Sequence, residues 1–215
     1  MKHILFGHQS VGQNLLEGIR DLAPAPAAKF SIAPFRVGRN HDPASKLEHF
    51  ATVVRSEAAQ GARLALFKFC YVDIDENTDV RALFDSYART MDSLRREFPG
   101  LRFGHVTVPL RSVSSGLLTR LRHLAGRHHA QVRRNAARHR FNELLRRHVA
   151  SESLFDIAAV EARGVDGEPR TTPGREGPLP VLAPEYTSDG GHLNDLGRRV
   201  VAREFLAFIE RQPAA

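Results

Sequence analysis

Short apolar runs alternate along the chain with stretches whose apolar positions recur every three or four residues, so strands and helices are predicted in turn. His3–Phe6 predicts a strand, and Leu15, Leu16 and Ile19 then predict a helix from about Ser10 to Leu22. The proline-rich stretch APAPAAK links it to a second strand, Phe30–Phe35, interrupted by Pro34. The turn VGRNHDP leads into a helix over Ala44–Ala59. Arg63–Tyr71 is apolar except mainly for Lys68 and predicts the central strand, followed by an amphipathic helix over Val80–Phe98. Leu101–Val108 predicts a fourth strand, ended by Pro109. Ser112–His129 shows no decisive period, whereas Ala130–Ala150 sets Val132, Phe141, Leu144 and Leu145 on one helical face. Leu154–Val160 predicts a fifth strand, and Gly164–Pro184, rich in Gly and Pro, a loop. His192–Arg211 predicts the last helix, with Leu196, Val200, Val201, Phe205, Phe208 and Ile209 towards the core. Five strands joined by helical crossovers predict a five-stranded parallel sheet with helices on both faces, a three-layer α/β/α sandwich forming one domain over residues 1–215. Such sheets bind ligands at the carboxyl ends of their strands. Ser10, the Gly38–Asp42 turn, Tyr71–Asp75, Pro109–Ser115 and the loop after Val160 fall on that edge.

Composition narrows the class. Hydrophobic residues make up 42% and charged residues 26%, as in ordinary soluble domains. No apolar run approaches the roughly 18 residues of a membrane span. The chain begins directly in strand-like sequence without a charged, apolar and cleavable leader, so a cytoplasmic location is expected, with export behind a removed leader left open. The single cysteine, Cys70, excludes an internal disulfide and a cysteine-based structural zinc site, and its apolar setting reads as a small buried residue.

The net charge of +7 is unevenly spread. Arg111–His148 holds ten Arg, Glu143 as its single acid and no Lys, a balance of +9 that leaves −2 for the rest. His123, His128, His129, His139 and His148 lie in the same segment. The plain reading is a solvated cationic face on a crossover helix. The segment is also the candidate site for an anionic ligand, through phosphate contacts, or, as Arg111–His129, a lid that steers anionic or carbohydrate-linked substrates. Phe141 is its one aromatic and sits on the apolar face, so no stacking platform for bases is visible.

Two stretches carry candidate chemistry. In HILFGHQSVGQNLLEGI, a strand enters a glycine-flanked turn that becomes a helix, with Ser10 in the turn. Gly7 lies three residues before Ser10, which departs from the Gly-x-Ser-x-Gly elbow. In TSDGGHLNDLGRRVVAREFLAFI, Asp189 and His192 are three apart in a turn entering the last helix. A serine hydroxyl is a poor nucleophile until a base takes its proton. Histidine titrates near neutrality, and a carboxylate on its other nitrogen fixes the tautomer that can accept. Ser10 alone reads as a helix cap, and Asp189 and His192 alone as turn residues. Together they fall where one fold brings them to a common rim. A metal site from His8, His41, His192 and Asp73 can be drawn on paper, but no metal-binding helical spacing supports it, and no metal or cofactor is predicted.

These blocks, with the order of elements over the whole chain, resemble the SGNH/GDSL hydrolase superfamily of serine esterases and lipases. The resemblance implies a flavodoxin-like sheet, Ser10 as nucleophile and Asp189 and His192 as acid and base, with Gly197 following in the helix. The first block departs from the family name, with His8-Gln9-Ser10 in place of Gly-Asp-Ser. The family's oxyanion hole uses the serine N–H, a glycine, here Gly38 in RVGRN, and an asparagine from a Gly-x-Asn-Asp block. That block is here Cys70-Tyr71-Val72-Asp73, in which Asp73 alone matches and Val72 has no side-chain donor. Asn40 is the candidate replacement. Loss of one such donor typically slows turnover roughly 100- to 1000-fold. The expected activity is hydrolysis of a small-molecule ester, an acetylated carbohydrate or a lipid ester, through an acyl-enzyme. A catalytically idle domain of this type, binding a carbohydrate or polyanion, is the second reading. Nucleic-acid binding by residues 111–148 is the third.

Overall fold

The computed structural model describes residues 2–22, 30–113 and 130–213. The predicted link APAPAAK and most of the suggested lid, from residue 114 to 129, lie outside them. Strand β1 (Lys2–His8) pairs in parallel with β2 (Phe30–Arg36) and with β3 (Leu64–Phe67), in registers that match Gly7 with Phe35 and with Phe67. On its far side β3 pairs in parallel with β4 (Arg102–Phe103), giving the order β2-β1-β3-β4. Pro34 is tolerated because β2 is an edge strand, where a missing N–H breaks no ladder on its open side.

The expectation of a single five-stranded sheet needs correction. The predicted fourth strand changes partner at Gly104. The Gly104 N–H still donates to Ala65 O at 3.0 Å, but β5 (His105–Val106) pairs with β6 (Leu154–Phe155), and Thr107 N–H donates to Phe155 O at 3.2 Å. The core is thus a four-stranded parallel sheet continued by a two-stranded parallel one. The predicted strand Leu154–Val160 is also cut short, because Asp156 caps the short helix α5 (Ile157–Glu161) by accepting from Ala159 N–H at 3.1 Å. The predicted loop over Gly164–Pro184 contains an antiparallel hairpin, β7 (Thr171–Gly174) and β8 (Gly177–Pro180), whose turn closes at Gly177 with φ 128°.

Alternation along the strands sorts side chains into two layers. Ile4, Phe6, Leu64 and Leu66 face α1 (Ser10–Leu22) and α6 (Asp195–Arg211), where Val11, Leu15, Phe205 and Phe208 complete the core. Leu5, Ala65 and Phe67 face α2 (Pro43–Val54), α3 (Val80–Glu97) and α4 (Ala130–His148), against Phe50, Phe84, Met91 and Phe141. Each buried Val, Leu, Ile, Phe or Met among them contributes about 1.5–3 kcal/mol. Among the described residues, no helix is long and apolar enough to cross a membrane.

Helices α1 and α6 touch backbone to backbone at Gly18, where an added Cβ would lie 2.3 Å from Arg198 O. Gly18→Ala is therefore expected to destabilise the protein by about 1–3 kcal/mol through overpacking, despite the better helix propensity of alanine. Urea unfolding measures this directly. An unchanged midpoint would show that α1 slides freely on α6.

Candidate active site

Ser10, Tyr71, Asp189 and His192 lie at the carboxyl edge of the sheet. Ser10 is the first residue of α1, half-buried, with its Oγ 3.8 Å from Cys70 Sγ. Close approach explains the glycines beside it. A Cβ on Gly7 would lie 2.8 Å from Phe35 Cζ, and one on Gly12 would lie 2.3 Å from His8 Cβ. Gln9 then ties the serine turn to the loop after β2, its Nε2 donating to Val37 O at 2.7 Å and Gly38 O at 3.0 Å.

Asp189 and His192 form the expected pair. His192 Nδ1 lies 2.5 Å from Asp189 Oδ2, while Asp189 Oδ1 accepts from Gly191 N–H at 2.8 Å and His192 N–H at 2.7 Å. Partial burial alone would raise the Asp189 carboxyl. The His192 ring and these two N–H donors outweigh it and hold the carboxyl below its ordinary range. The turn is fixed from both sides. Arg111 Nε donates to Gly190 O at 3.1 Å, and Leu193 N–H donates at 3.2 Å to Asn14 Oδ1, one helical turn beyond Ser10. Helix α6 begins at Asp195, later than predicted, because Asn194 is its cap and accepts from Gly197 N–H at 3.0 Å. His192 is consequently a turn residue and not a helical one. A cleft of about 710 Å³ opens beside it, lined by Ser188, Asp189, His192 and Arg199.

No hydrogen bond joins Ser10 to His192 among the described residues. With Nδ1–H directed at Asp189, Nε2 is an acceptor, and the hydroxyl of Tyr71 donates to it at 3.3 Å. Catalytic hydrogen bonds are often long or unmade before substrate arrives. Tyr71 itself is held by α4. Arg138 Nε donates to Tyr71 O at 2.7 Å, and the guanidinium carbons of Arg111 and Arg138 lie 5.2 and 5.9 Å from the ring centre. Two asparagines on the same face of α4 act as strand partners for the rim. Asn142 bonds both the N–H and the C=O of Val108, and Asn135 those of Arg111. The basic helix thus turns part of its polarity inward, and Arg138 is 2% exposed. Arg146 pairs with Glu143 and Asp156, and Arg133 and Arg134 with Glu76.

Gly38 and Asn40, the oxyanion-hole candidates beside Ser10, and Asp73, the matching residue of the third block, have partners of their own within the protein. Gly38 N–H donates to His49 Nδ1 at 2.9 Å. Asn40 is exposed, its Oδ1 accepting from Lys46 Nζ at 3.2 Å. Asp73 is buried, with both carboxylate oxygens engaged within the protein. It accepts from Cys70 N–H at 2.6 Å, His41 N–H at 3.0 Å and Lys46 Nζ at 2.6 Å, which makes it a brace between two loops. Among the described residues, His8, His41, His192 and Asp73 do not gather into a metal-binding group. The signal for Tyr71 was its place in the third block. The signal for Lys68 was a lone cation in an apolar run.

Beneath α1, the buried Lys68 Nζ and Glu161 Oε1 both lack a hydrogen-bond partner among the described residues, while Glu161 Oε2 accepts from Leu110 N–H at 2.7 Å. Burial pushes Glu161 up to about 8 from 4.5, and the Leu110 N–H and Lys68 only partly offset it. Between those values the folded protein binds more protons at this site than the unfolded chain, so its contribution to stability is full below 4.5 and is lost as pH rises through about 8. Glu161→Gln keeps an acceptor for Leu110 and removes the titration. Urea midpoints at pH 5 and pH 8 are expected to fall less in the variant than in the wild type. Equal falls would show that Glu161 is ionised in the folded state throughout.

No protein-family model matches the chain, and no curated protein matches it significantly. Solved structures do. A lipase/acylhydrolase from Enterococcus faecalis superposes with a TM-score of 0.54 at 15% identity, over 98% of this chain and 96% of that one. The psychrotrophic esterase EstA from Pseudoalteromonas sp. gives 0.56 at 9% identity, over 98% of each chain. A member of the lipolytic G-D-S-L family from Veillonella parvula gives 0.55 at 10% identity, over 98% and 99%. The chain thus shares its overall fold with these lipases and esterases.

Proposed function

We propose that the protein is a serine esterase acting on a small-molecule ester. The observation that carries this reading is the Asp189–His192 pair, set in a braced turn at the same sheet edge as Ser10. Ser10 Oγ attacks the ester carbonyl, His192 Nε2 takes its proton, and Asp189 holds the ring in the accepting tautomer. The Ser10 N–H, at the start of α1 and without an intrahelical partner, faces the developing oxyanion with the helix dipole behind it. The Gly38 N–H and the Asn40 amide are the further candidate donors, the first bound to His49 and the second held at its oxygen by Lys46. Acetylated carbohydrates and lipid esters are the substrate classes in view, and the likeness of fold to lipases and esterases supports them only as classes. Labelling with a fluorophosphonate, followed by peptide mapping, tests the nucleophile. The expected adduct is on Ser10 and is absent from Ser10→Ala. An unlabelled wild type that turns over no p-nitrophenyl ester would overturn the reading.

A further inference from the structure

The esterase proposed above is short of donors, because Val72 offers none and Gly38 N–H is bound to His49. The residue just before Val72 reaches the reacting atoms instead. Tyr71 is 6% exposed, and its ring meets His192 edge-on with centroids 5.8 Å apart. We propose that Tyr71 is a further catalytic residue, its hydroxyl donating to the oxyanion of the tetrahedral intermediate in place of the missing asparagine. The inference rests on the serine-esterase reading.

The hydrogen bond at His192 gives the reason. In the resting state, with Nδ1–H on Asp189, Nε2 of the neutral ring is the acceptor and the Tyr71 hydroxyl donates to it. In acylation the bond from Ser10 Oγ to the carbonyl carbon forms, the carbonyl π pair moves onto oxygen, and the serine proton goes to Nε2. Nε2 is then a donor, so Tyr71 loses its acceptor at the moment a negatively charged oxygen appears beside it. On collapse, the pair returns to re-form the C=O bond, the bond to the leaving alcohol breaks, and His192 gives its proton to the departing oxygen. Nε2 regains its lone pair and Tyr71 turns back. The ring does not reorganise during this exchange, because Arg138 holds the Tyr71 carbonyl and both Arg111 and Arg138 lie against the ring. A donor fixed in advance is what stabilises an oxyanion most. Burial, chiefly, raises the Tyr71 hydroxyl above its ordinary value, which keeps it protonated at neutral pH.

The test compares the wild type with Tyr71→Phe on p-nitrophenyl acetate, with kcat expressed per Ser10 titrated by fluorophosphonate so that misfolded protein does not count. Phenylalanine keeps the ring, its packing against Gly191 and its cationic neighbours. The expected result is a fall in kcat of roughly 100-fold or more with KM nearly unchanged, and a parallel slowing of Ser10 labelling, since the phosphonyl oxygen uses the same donor. A variant with kcat per titrated site within about threefold of the wild type would show that the ring only packs the turn, and would overturn the inference while leaving the esterase reading intact. A wild type neither labelled at Ser10 nor active would overturn both.

Discussion

Ser10→Ala is expected to lower kcat for a small ester by roughly 10⁶-fold, and Asp189→Asn by up to about 10⁴-fold, each with KM close to the wild-type value. The asparagine variant is the more informative of the two. Asp189 does two jobs with two oxygens. Oδ1 accepts from the N–H groups of Gly191 and His192 and shapes the turn, while Oδ2 faces Nδ1 of His192. An asparagine keeps a carbonyl oxygen for the turn and presents an NH₂ to Nδ1. The ring must then accept at Nδ1 and carry its proton on Nε2, where it can no longer take one from Ser10. The turn survives and the base is lost. Because the Asp189 side chain is 54% exposed, water competes with this preference, so 10⁴ is an upper figure. The double variant Ser10→Ala/Asp189→Asn is expected to be no slower than Ser10→Ala alone, since the residues act as one unit. Steady-state kinetics on a p-nitrophenyl ester, with the fold checked by circular dichroism, measures all three. An Asp189→Asn enzyme with full kcat would reduce Asp189 to a turn residue.

The parts of this site that could be read in the chain were those set by short range. The step from β1 into the Ser10 turn follows from an apolar run meeting glycines, and the Asp189–His192 spacing closes within one turn. What was not legible depends on contacts between distant segments. Tyr71 meets His192 across 121 residues, and no periodicity marks that pairing. Asn135, Arg138 and Asn142 looked like a solvated cationic face, because a pattern of polar residues does not reveal that a helix can replace a missing strand as partner to loop backbone. The break at Gly104 is of the same kind. Apart from Gly104, the strand-like stretch Leu101–Val108 shows no break in its sequence, and the change of partner is decided by where β3 ends and β6 begins. In Gly164–Pro184 the prolines argued for loop, yet Pro173, Pro178 and Pro180 sit on a two-stranded ribbon whose strands each have an open edge.

Lys46→Met is expected to destabilise the protein by about 3–5 kcal/mol, a fall in Tm of roughly 6–20 °C for a chain of this size. Lys46 and Asp73 form an ion pair at 2.6 Å with both side chains 0% exposed, so removing the cation strands a carboxylate in the core. The usual remedy for a broken buried pair is to make both partners apolar, which is often neutral or stabilising. Here the remedy is expected to fail. In Lys46→Met/Asp73→Leu, the N–H groups of Cys70 and His41 lose their acceptor as well, at about 1–3 kcal/mol each. His41 adds to the cost, for its φ of 63° is a conformation that a non-glycine residue holds only when its neighbours enforce it. The double variant should therefore be no more stable than Lys46→Met. Its folded fraction should also turn over ester more slowly, because Asp73 fixes the end of the segment that carries Tyr71. Thermal melts of the two single variants and the double variant separate the cases. Recovery of wild-type stability in the double variant would mean that the pair merely neutralises its own charges, and that Tyr71 owes its position to Arg138 and Arg111 alone.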